Sequence, residues 1–574
     1  MRSPVALLTA AEVAVGLGIA LACLIGSLSA GVAVISLLAG IAAGVVAFRQ
    51  TRPSGAPARV SPVEWVVIGV FTLASLRAFL WLIYPDGDQI LVLSVNNLGD
   101  LPLHLGFIRY FASGVPFWPE SPIFTGVPLT YPIGVDFLNS LLLRVGLPVE
   151  QGLVWVGLAG SALTLAALWR WGRGFAIAAF LFGGGLAGFV IFRELFAGKI
   201  PAIEDFQGAE QWKNPFLALF VTQRGFLMAL PAGLFLLDDW RSRFLRRETP
   251  LLPWWVALLL YATMPLYSIH SFLYLSIALL GIFAFAAGPE ARSDCLKFVA
   301  AAFLPAAVCG AVVTDLFSVS GGIHLAPGWM QNEAPAGEEP PHPVWFWLNN
   351  FGLYLVLWAG LAVYSAIKGP RETLALVLPA TVMFLVCTVV SFAVWPWDNT
   401  KIFIWCWLAV APCLWNDVIR PSPLPSRIVA CFVLFFTGAV SLVAGLDGRN
   451  GYGVFKRTQV WEAQAVVDDL PADARFACAP EYWHPLLVLG RKLALGYDGH
   501  LWSHGMNYRP MMRELDNLMN GGPGWRESAE KLDVDYLVWS DAERKRYPSS
   551  TRDWATKLPI VAQGERITVY SLKP

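Results

Sequence analysis

Four ionisable side chains follow the third apolar stretch of the sequence at close spacing: Asp86, Asp88, Asp100 and His104. A carboxylate beside an apolar boundary becomes a stronger base, so each Asp could remove a proton from a substrate or hold a divalent metal ion. Asp100 and His104 stand at i and i+4 of a helix that we predict to run to about Ala112, so they share one face. The alternative for each Asp is an ordinary solvated loop.

A second set of polar side chains stands at the ends of later apolar stretches: Gln223, Arg224, His270, Asp398, Asn399 and Lys401. Ionisable groups at membrane depth are costly unless they line a wet cavity or pair with each other, so we predict one shared polar cavity. Arg224 could hold a phosphate with its forked donors and Lys401 as a point charge. The alternatives are a structural ion pair for Asp398 and Lys401, and a satisfied hydrogen bond for His270.

A third group lies near the C-terminus, where His484, His500, Trp502 and His504 occur within about twenty residues. Their spacing matches no strong metal-ligand signature, so a metal site there stays open. Contact with carbohydrate or a lipid headgroup fits better, and a turn-rich packing cluster is the alternative.

The composition indicates which kind of protein must position these groups. The chain has 574 residues, of which 56% are hydrophobic and only 14% charged, far from the globular average of about a quarter charged. This indicates a polytopic helical membrane protein. Forty-one basic residues balance forty-one acidic ones, so no net field favours a nucleic-acid partner.

About thirteen apolar stretches are long enough to cross roughly 30 Å of hydrocarbon. They lie near 5–27, 29–48, 64–84, 151–169, 174–192, 215–237, 251–267, 271–287, 296–317, 345–366, 373–394, 402–418 and 427–445. Lys and Arg gather in alternate loops, which predicts a cytoplasmic N-terminus. A further piece, 131–146, would put the Arg-rich loop 241–247 outside if it crossed. We therefore predict a helix on the outer surface there.

This topology divides the chain into three parts. Residues 1–61 form an N-terminal membrane hairpin with a cytoplasmic linker, and 62–445 form a membrane core with the outer loop 85–150. Residues 446–574 have lower hydropathy and predict a small extracytoplasmic α/β domain. Its predicted strands begin at Arg475, Lys492, Asp535 and Arg566, with helices at 458–469 and 508–519.

Several short motifs resemble the GT-C superfamily of integral membrane glycosyltransferases. The segment from Gly99-Asp100 through Gly114-Val-Pro-Phe-Trp-Pro119 to Tyr131-Pro132-Ile-Gly-Val-Asp136 is similar to the acidic motif and the proline-led surface helix of that family. Gln223-Arg224, Trp397 to Lys401 and Gly496 to Gly505 are similar to bacterial membrane proteins of the same broad group. The best-known members place Asp-Glu directly at the helix end, whereas Asp86-Gly-Asp88 stands there in this chain.

The resemblance implies a membrane enzyme of the cell (inner, cytoplasmic) membrane that transfers a sugar from a polyprenyl-phosphate donor with inversion. The acceptor would be a glycan, a lipid or a protein on the outer side. Asp100 would be the base, with Asp88, Asp86 and His104 as the other candidates. Arg224, Lys401 and Gln223 would hold the donor phosphate.

The substrate itself would be contacted by a further set: Tyr131, His270, Asp398, Asn399, His500, Trp502 and His504. The sequence indicates no cofactor with certainty, and a divalent metal ion stays open. Two alternatives remain. A flippase of a lipid-linked saccharide would show repeated halves and broken helices, and the sequence predicts neither. A non-catalytic scaffold that displays a binding domain would need none of the loop carboxylates.

Overall fold

The computed structural model describes residues 1–52, 59–93, 96–314, 316, 322–332, 342–449 and 451–573. Residues 53–58 of the predicted cytoplasmic linker, and residues 317–321 and 333–341, lie outside these ranges. Up to residue 449 the described chain is mainly helical. Its helices are α1 (Arg2–Ile25), α2 (Ala30–Gln50), α3 (Pro62–Leu80), α4 (Asn97–Ala112), α5 (Gly134–Arg144), α6 (Val149–Leu181), α7 (Val190–Phe196), α8 (Phe226–Trp240), α9 (Trp254–Ala262), α10 (Met264–Tyr267), α11 (Ile269–Ala284), α12 (Pro289–Val313), α13 (Trp329–Asn332), α14 (Pro343–Ile367), α15 (Arg371–Cys387), α16 (Thr400–Cys413) and α17 (Leu424–Gly445).

Among the described residues, eight helical segments are long and apolar enough to cross a membrane. They are α1, α2, α3, α6, α12, α14, α17 and the segment Pro396–Ile419 that contains α16. Two shorter apolar segments, Trp254–Tyr267 and Ile269–Ala284, follow α8. Helical character is therefore confirmed, while the count of thirteen spans stays a prediction.

Three of the helical segments are interrupted, and the sequence predicted only the first of these interruptions. Gly172 and Arg173 leave helical geometry inside α6, between the predicted spans 151–169 and 174–192, and Gly352 does so inside α14 with a φ of 57°. The predicted span 215–237 divides into a π-helical turn at Pro215–Phe220, a non-helical link over residues 221–225, and α8. The absence of broken helices expected from the sequence is thus wrong, and the third interruption places Arg224 in a link.

The N-terminal hairpin packs on the core. A Cβ atom at Gly40 would lie 2.4 Å from the carbonyl oxygen of Ala10, so the two helices approach closely, as small residues allow in membranes. The buried Glu12 on α1 accepts a hydrogen bond of 2.7 Å from the Thr263 hydroxyl. The hairpin is therefore bonded to the segment that leads into α10.

The segment that we predict to be the outer loop, called the outer loop from here on, forms β1 (Ile83–Asp86), β2 (Gln89–Leu93), α4, β3 (Glu120–Ser121), β4 (Phe124–Pro128) and α5. The prediction that the helix of Asp100 and His104 ends near Ala112 is confirmed. The eleven residues of α5 span about 16 Å at 1.5 Å per residue, so this helix is too short to cross a bilayer. It packs against α4 and α6, and most of its residues are buried.

Short strands also occur further along the chain: β5 (His324–Leu325), β6 (Val390–Ser391) and β7 (Gly451–Lys456). β7 pairs with β2 of the outer loop. The C-terminal part then forms a five-stranded sheet in the order β11-β12-β10-β8-β9. These strands are β8 (Arg475–Ala477), β9 (Lys492–Leu493), β10 (Tyr536–Trp539), β11 (Ile560–Gln563) and β12 (Thr568–Ser571). Helices α18 (Arg457–Val467), α19 (Pro485–Val488), α20 (Asp498–Ser503), α21 (Arg509–Asn520), α22 (Trp525–Leu532) and α23 (Asp541–Arg546) accompany it.

The four predicted strands and both predicted helices of this part are confirmed. The C-terminal part rests on the outer loop through close backbone approach. A Cβ atom at Gly106 of α4 would lie 2.8 Å from the carbonyl oxygen of Leu487 in α19. Arg475 also donates to Glu120 at 2.6 Å. The outer loop is thus held between the membrane helices and the C-terminal sheet.

Candidate active site

A cavity of about 230 Å³ lies where the outer loop meets the helix ends of the core. Its walls come from α4, the segment before α5, the link before α8, the junction of α10 and α11, and the start of α16. The predicted residues that line it are His104, Tyr131, Gln223, Arg224, His270, Asp398 and Lys401. The sequence-based expectation of one shared polar cavity therefore matches this arrangement.

A buried carboxylate holds the imidazole of His104 in this cavity. Nδ1 of His104 lies 3.0 Å from Oδ1 and 2.9 Å from Oδ2 of Asp136, the first acidic residue of α5. The side chains of both residues are at most 4% exposed. With the proton on Nδ1 donated to the carboxylate, Nε2 becomes the ring's proton acceptor. Sequence reasoning did not select Asp136, although an acid in a mainly apolar helix was the signal.

Asp100 lies one turn before His104 on α4. Its Oδ2 accepts a hydrogen bond of 2.7 Å from Nε2 of Gln223, and its own surroundings are only half-buried. This bond ties the outer loop to the link before α8. Asp100 is therefore oriented by the same segment that carries Arg224.

Arg224 is the most unusual group of the cavity. The residue is 1% exposed, and its Nε, Nη1 and Nη2 atoms have no hydrogen-bond partner among the described residues. Leaving a buried charged group unsatisfied is expensive, so such a guanidinium indicates a place for an anion. Asp100 and Asp136 lie near enough to favour its charge without forming an ion pair.

Lys401 and His270 complete the polar wall opposite α4. Nζ of Lys401 lies 3.0 Å from Oδ1 of Asp398, and both side chains keep a sixth to a fifth of their surface exposed. Nε2 of His270 is buried without a hydrogen-bond partner among the described residues. The ion pair given above as the alternative is therefore present, and both of its members also line the cavity.

Tyr131 connects the cavity to the C-terminal part. Its ring centroid lies 6.1 Å from that of His104 and 5.3 Å from that of His504. Burial, followed by the charge of Asp100, raises the pKa of Tyr131 well above its usual value, so its hydroxyl stays a neutral donor. Burial likewise lowers the pKa of His504 to about 3, and that ring is neutral near pH 7. His500 reaches the carbonyl oxygen of Gly99 through Nε2 at 2.9 Å.

Seven predicted site residues are not among those that line the cavity: Asp86, Asp88, Asp100, Asn399, His500, Trp502 and His504. Asp100, His500 and His504 lie beside it, through the contacts with Gln223, Gly99 and Tyr131 given above. Asp86 ends β1, and the carboxylate of Asp88 accepts bonds from the backbone nitrogen and the hydroxyl of Thr458 at 3.0 and 2.8 Å. The amide of Asn399 donates to the carbonyl oxygens of Cys387 and Val390, at 2.8 Å each. Trp502 is exposed, and its ring lies 6.3 Å from that of Trp395. Asp88 and Asn399 thus have structural partners.

Tyr267 and Ser268 also line the cavity, and no sequence motif marked either residue. Tyr267 is wedged between two glycines. A Cβ atom at Gly134 would lie 2.6 Å from its ring, and one at Gly225 would lie 2.0 Å from its carbonyl oxygen. This segment therefore fixes the distance between α5 and the link that carries Arg224.

The carboxylates of the cavity do not form a metal site. Asp136 gives both oxygens to His104, and Asp398 is paired with Lys401. Across the described ranges, three potential ligand atoms come within 4.8 Å of one another only at Cys478, His484 and Glu543, all buried in the C-terminal part. The divalent ion left open by the sequence therefore has no fitting donor set at the cavity.

No family model and no curated protein matches the sequence. The fold resembles the oligosaccharyltransferase of Archaeoglobus fulgidus in its apo form, with 13% identity, a TM-score of 0.37, and coverage of 83% of this chain and 69% of that one. It also resembles ArnT from Cupriavidus metallidurans bound to undecaprenyl phosphate, with 14% identity, a TM-score of 0.40, and coverage of 89% and 99%. Both are GT-C glycosyltransferases, the group that the sequence resembles. Likeness this distant assigns no activity to the chain.

Proposed function

We propose that this chain is a membrane glycosyltransferase that moves a sugar from a polyprenyl-phosphate donor to an acceptor on the outer side of the cell membrane. One observation carries the proposal: the buried guanidinium of Arg224 has no partner among the described residues and lines a cavity that also holds Lys401. The phosphate becomes more negative as its bond to the sugar breaks. The charges of Arg224 and Lys401 would stabilise it, and the neutral hydroxyl of Tyr131 could donate a hydrogen bond to it.

The reaction would be a single displacement with inversion. The oxygen of the acceptor hydroxyl attacks the anomeric carbon, its proton passes to Asp100, and the bond to the lipid phosphate breaks with its electron pair on the phosphate oxygen. Arg224 and Lys401 stabilise that oxygen. His104, oriented by Asp136, positions the acceptor through Nε2. Gln223 keeps the Asp100 carboxylate in place.

A transfer assay with polyprenyl-phosphate sugars tests this assignment. A positioned general base contributes about 10² to 10⁴ in rate, so Asp100→Asn should lose at least about a hundredfold. Asp88→Asn is the matched control, because that carboxylate holds Thr458 outside the cavity and should keep its rate within about threefold. Arg224→Gln should weaken binding of polyprenyl phosphate. Full transfer in both Asp100→Asn and Arg224→Gln would contradict the proposal.

A flippase of a lipid-linked saccharide is a second candidate, because the structure breaks the predicted span 215–237 beside Arg224. Transporters place such interrupted helices around anionic substrate groups. Reconstituted vesicles separate the two functions. Movement of the lipid-linked sugar across the bilayer without formation of a new glycosidic bond, abolished in Arg224→Gln, would favour the flippase.

A further inference from the structure

A second cavity, of about 460 Å³, opens between the outer loop and the C-terminal sheet. It shares no lining residue with the first cavity. Its walls are formed by ten residues from α4, the segment around β3, and the C-terminal part: Tyr110, Pro116, Trp118, Pro119, Glu120, Asp473, Arg475, Lys492, Asp535 and Lys573. The cavity thus lies at the interface of two parts of the chain, and ligand pockets commonly occur at such interfaces.

Two aromatic side chains give the cavity a fixed apolar wall. Nε1 of Trp118 donates to the carbonyl oxygen of Leu129 at 2.8 Å, which locks the half-buried indole in one orientation. Tyr110 is 1% exposed, and burial, followed by the charge of Glu120, raises its pKa. Its phenol therefore stays neutral and able to donate. A rigid aromatic face offers large contact area at low entropic cost.

The charged residues of the cavity cancel and are held in place by each other. Three acids face three bases, and Arg475 bonds Glu120 at 2.6 Å while Lys573 bonds Asp535 at 2.7 Å. Lys492 lies 3.4 Å from Glu120. Asp473 is exposed and takes part in no ion pair or hydrogen bond within the described ranges. The wall thus presents fixed donors and acceptors together with one free carboxylate, and no net charge.

This combination selects a class of ligand. A phosphate or another strong anion would need a cation without a partner, as Arg224 provides in the first cavity, whereas Arg475, Lys492 and Lys573 are all paired with acids. A neutral polyhydroxylated ring supplies both donors and acceptors for fixed charged groups, and its apolar face can stack on an indole. We propose that the second cavity binds a neutral saccharide. Resting on the proposed function, we assign this ligand to the non-reacting part of a glycan acceptor.

The relative position of the two cavities supports this assignment. Tyr110 follows His104 by six residues on α4, about 9 Å along the helix at 1.5 Å per residue. Leu129, which orients Trp118, directly precedes Thr130 of the first cavity. The two cavities are therefore less than two turns of α4 apart along the helix axis, a separation that a glycan chain held at Trp118 spans.

Isothermal titration calorimetry on the full-length protein in lipid nanodiscs tests the inference by measuring its affinity for trisaccharides. The probes are maltotriose, mannotriose and chitotriose, with trigalacturonic acid as the charged comparison. We expect at least one neutral trisaccharide to bind more tightly than the acid, and Trp118→Ala and Asp473→Asn each to weaken that binding at least tenfold. Trp461→Ala is the matched control, because Trp461 is an exposed tryptophan of α18 outside both cavities.

The possible results separate this inference from the proposed function. Unchanged affinity in Trp118→Ala and Asp473→Asn, preference for the acid, or binding of none of the three neutral sugars would overturn it. Asp100→Asn should lose transfer and still bind the trisaccharide. If wild-type protein binds through Trp118 and shows no transfer with any donor, the cavity stands and the proposed function fails.

Discussion

At the scale of single residues, the groups in and beside the cavity differ in the kind of partner that they have. His104 has a buried carboxylate for one ring nitrogen, Asp100 has an amide, and Arg224 has no partner among the described residues. Structural groups are normally satisfied within the protein, and Asp88 and Asn399 follow that rule. Whether a buried polar group has a partner within the protein therefore indicates a binding role better than residue type does, and by this criterion Arg224 is the strongest candidate.

The pair of His104 and Asp136 gives the first prediction at this scale. Asp136→Asn should lower the transfer rate by about tenfold to a hundredfold, because outer partners that orient an imidazole have effects of that size. His104→Gln should lower it by a similar amount. Rates of both single variants and the double variant should be compared, and a double variant that loses the product of the two single effects would show that the residues act independently.

His504 gives a prediction about pH. Its pKa is lowered to about 3 by burial, against about 6.5 in an unfolded chain, so between these values only the unfolded state binds the proton. Stability therefore falls as the pH falls below 6.5. From pH 7.5 to 5.5 this residue should cost about 1 kcal/mol of unfolding free energy. His504→Gln should reduce the loss in unfolding midpoint, and equal acid sensitivity in both proteins would contradict the assignment.

At the scale of elements, the link between the π-helical turn at Pro215–Phe220 and α8 determines the position of Arg224. Its position depends on close contact with Tyr267 through Gly225, where a Cβ atom would lie 2.0 Å from a backbone oxygen. Backbone cannot move aside as a flexible side chain can. The geometry of the cavity thus depends on a glycine that no motif marks.

Gly225→Ala should therefore displace the link. Overpacking of this kind costs about 1 to 3 kcal/mol, and the shift should also lower polyprenyl-phosphate binding. Gly69→Ala in α3 is the control, because a Cβ atom there meets nothing within 4 Å. Thermal unfolding and phosphate binding measure the two effects. Wild-type binding in Gly225→Ala would show that the link tolerates displacement.

At the scale of the whole molecule, the outer loop contacts the helices of the core on one side and the C-terminal part on the other. One face of α4 carries His104 into the first cavity, and Gly106 permits contact with Leu487 of α19. Strand β2 of this loop also pairs with β7. Both cavities border this loop, so their geometry depends on how the C-terminal part docks.

Gly106→Val should loosen that docking. The added side chain would clash with Leu487, so we expect easier proteolysis in the segment before α18 and lower transfer. Gly99→Ala is the control on the same helix, because a Cβ atom there meets nothing within 4 Å. Limited proteolysis in nanodiscs compares the two. Equal resistance to protease would indicate that α19 is held by other contacts.

The sequence alone determined the features that depend on local composition and period. Apolar stretches of sufficient length, the helix of Asp100 and His104, and the strands of the C-terminal part follow from hydropathy and side-chain spacing, and the structure has them. The predicted shared cavity followed from the cost of isolated charges at membrane depth. Polar type alone could not say which carboxylates face that cavity.

Tertiary structure decided the pairings. Asp136 meets His104 across 32 residues, Gln223 meets Asp100 across 123, and Asp88 turns away to Thr458 across 370. Contacts at such separation depend on how helices pack, and here that packing is set by glycines that admit close backbone approach. The interruption of α14 and the division of 215–237 were not predicted, because hydropathy averages over a stretch and does not register where its backbone leaves helical geometry.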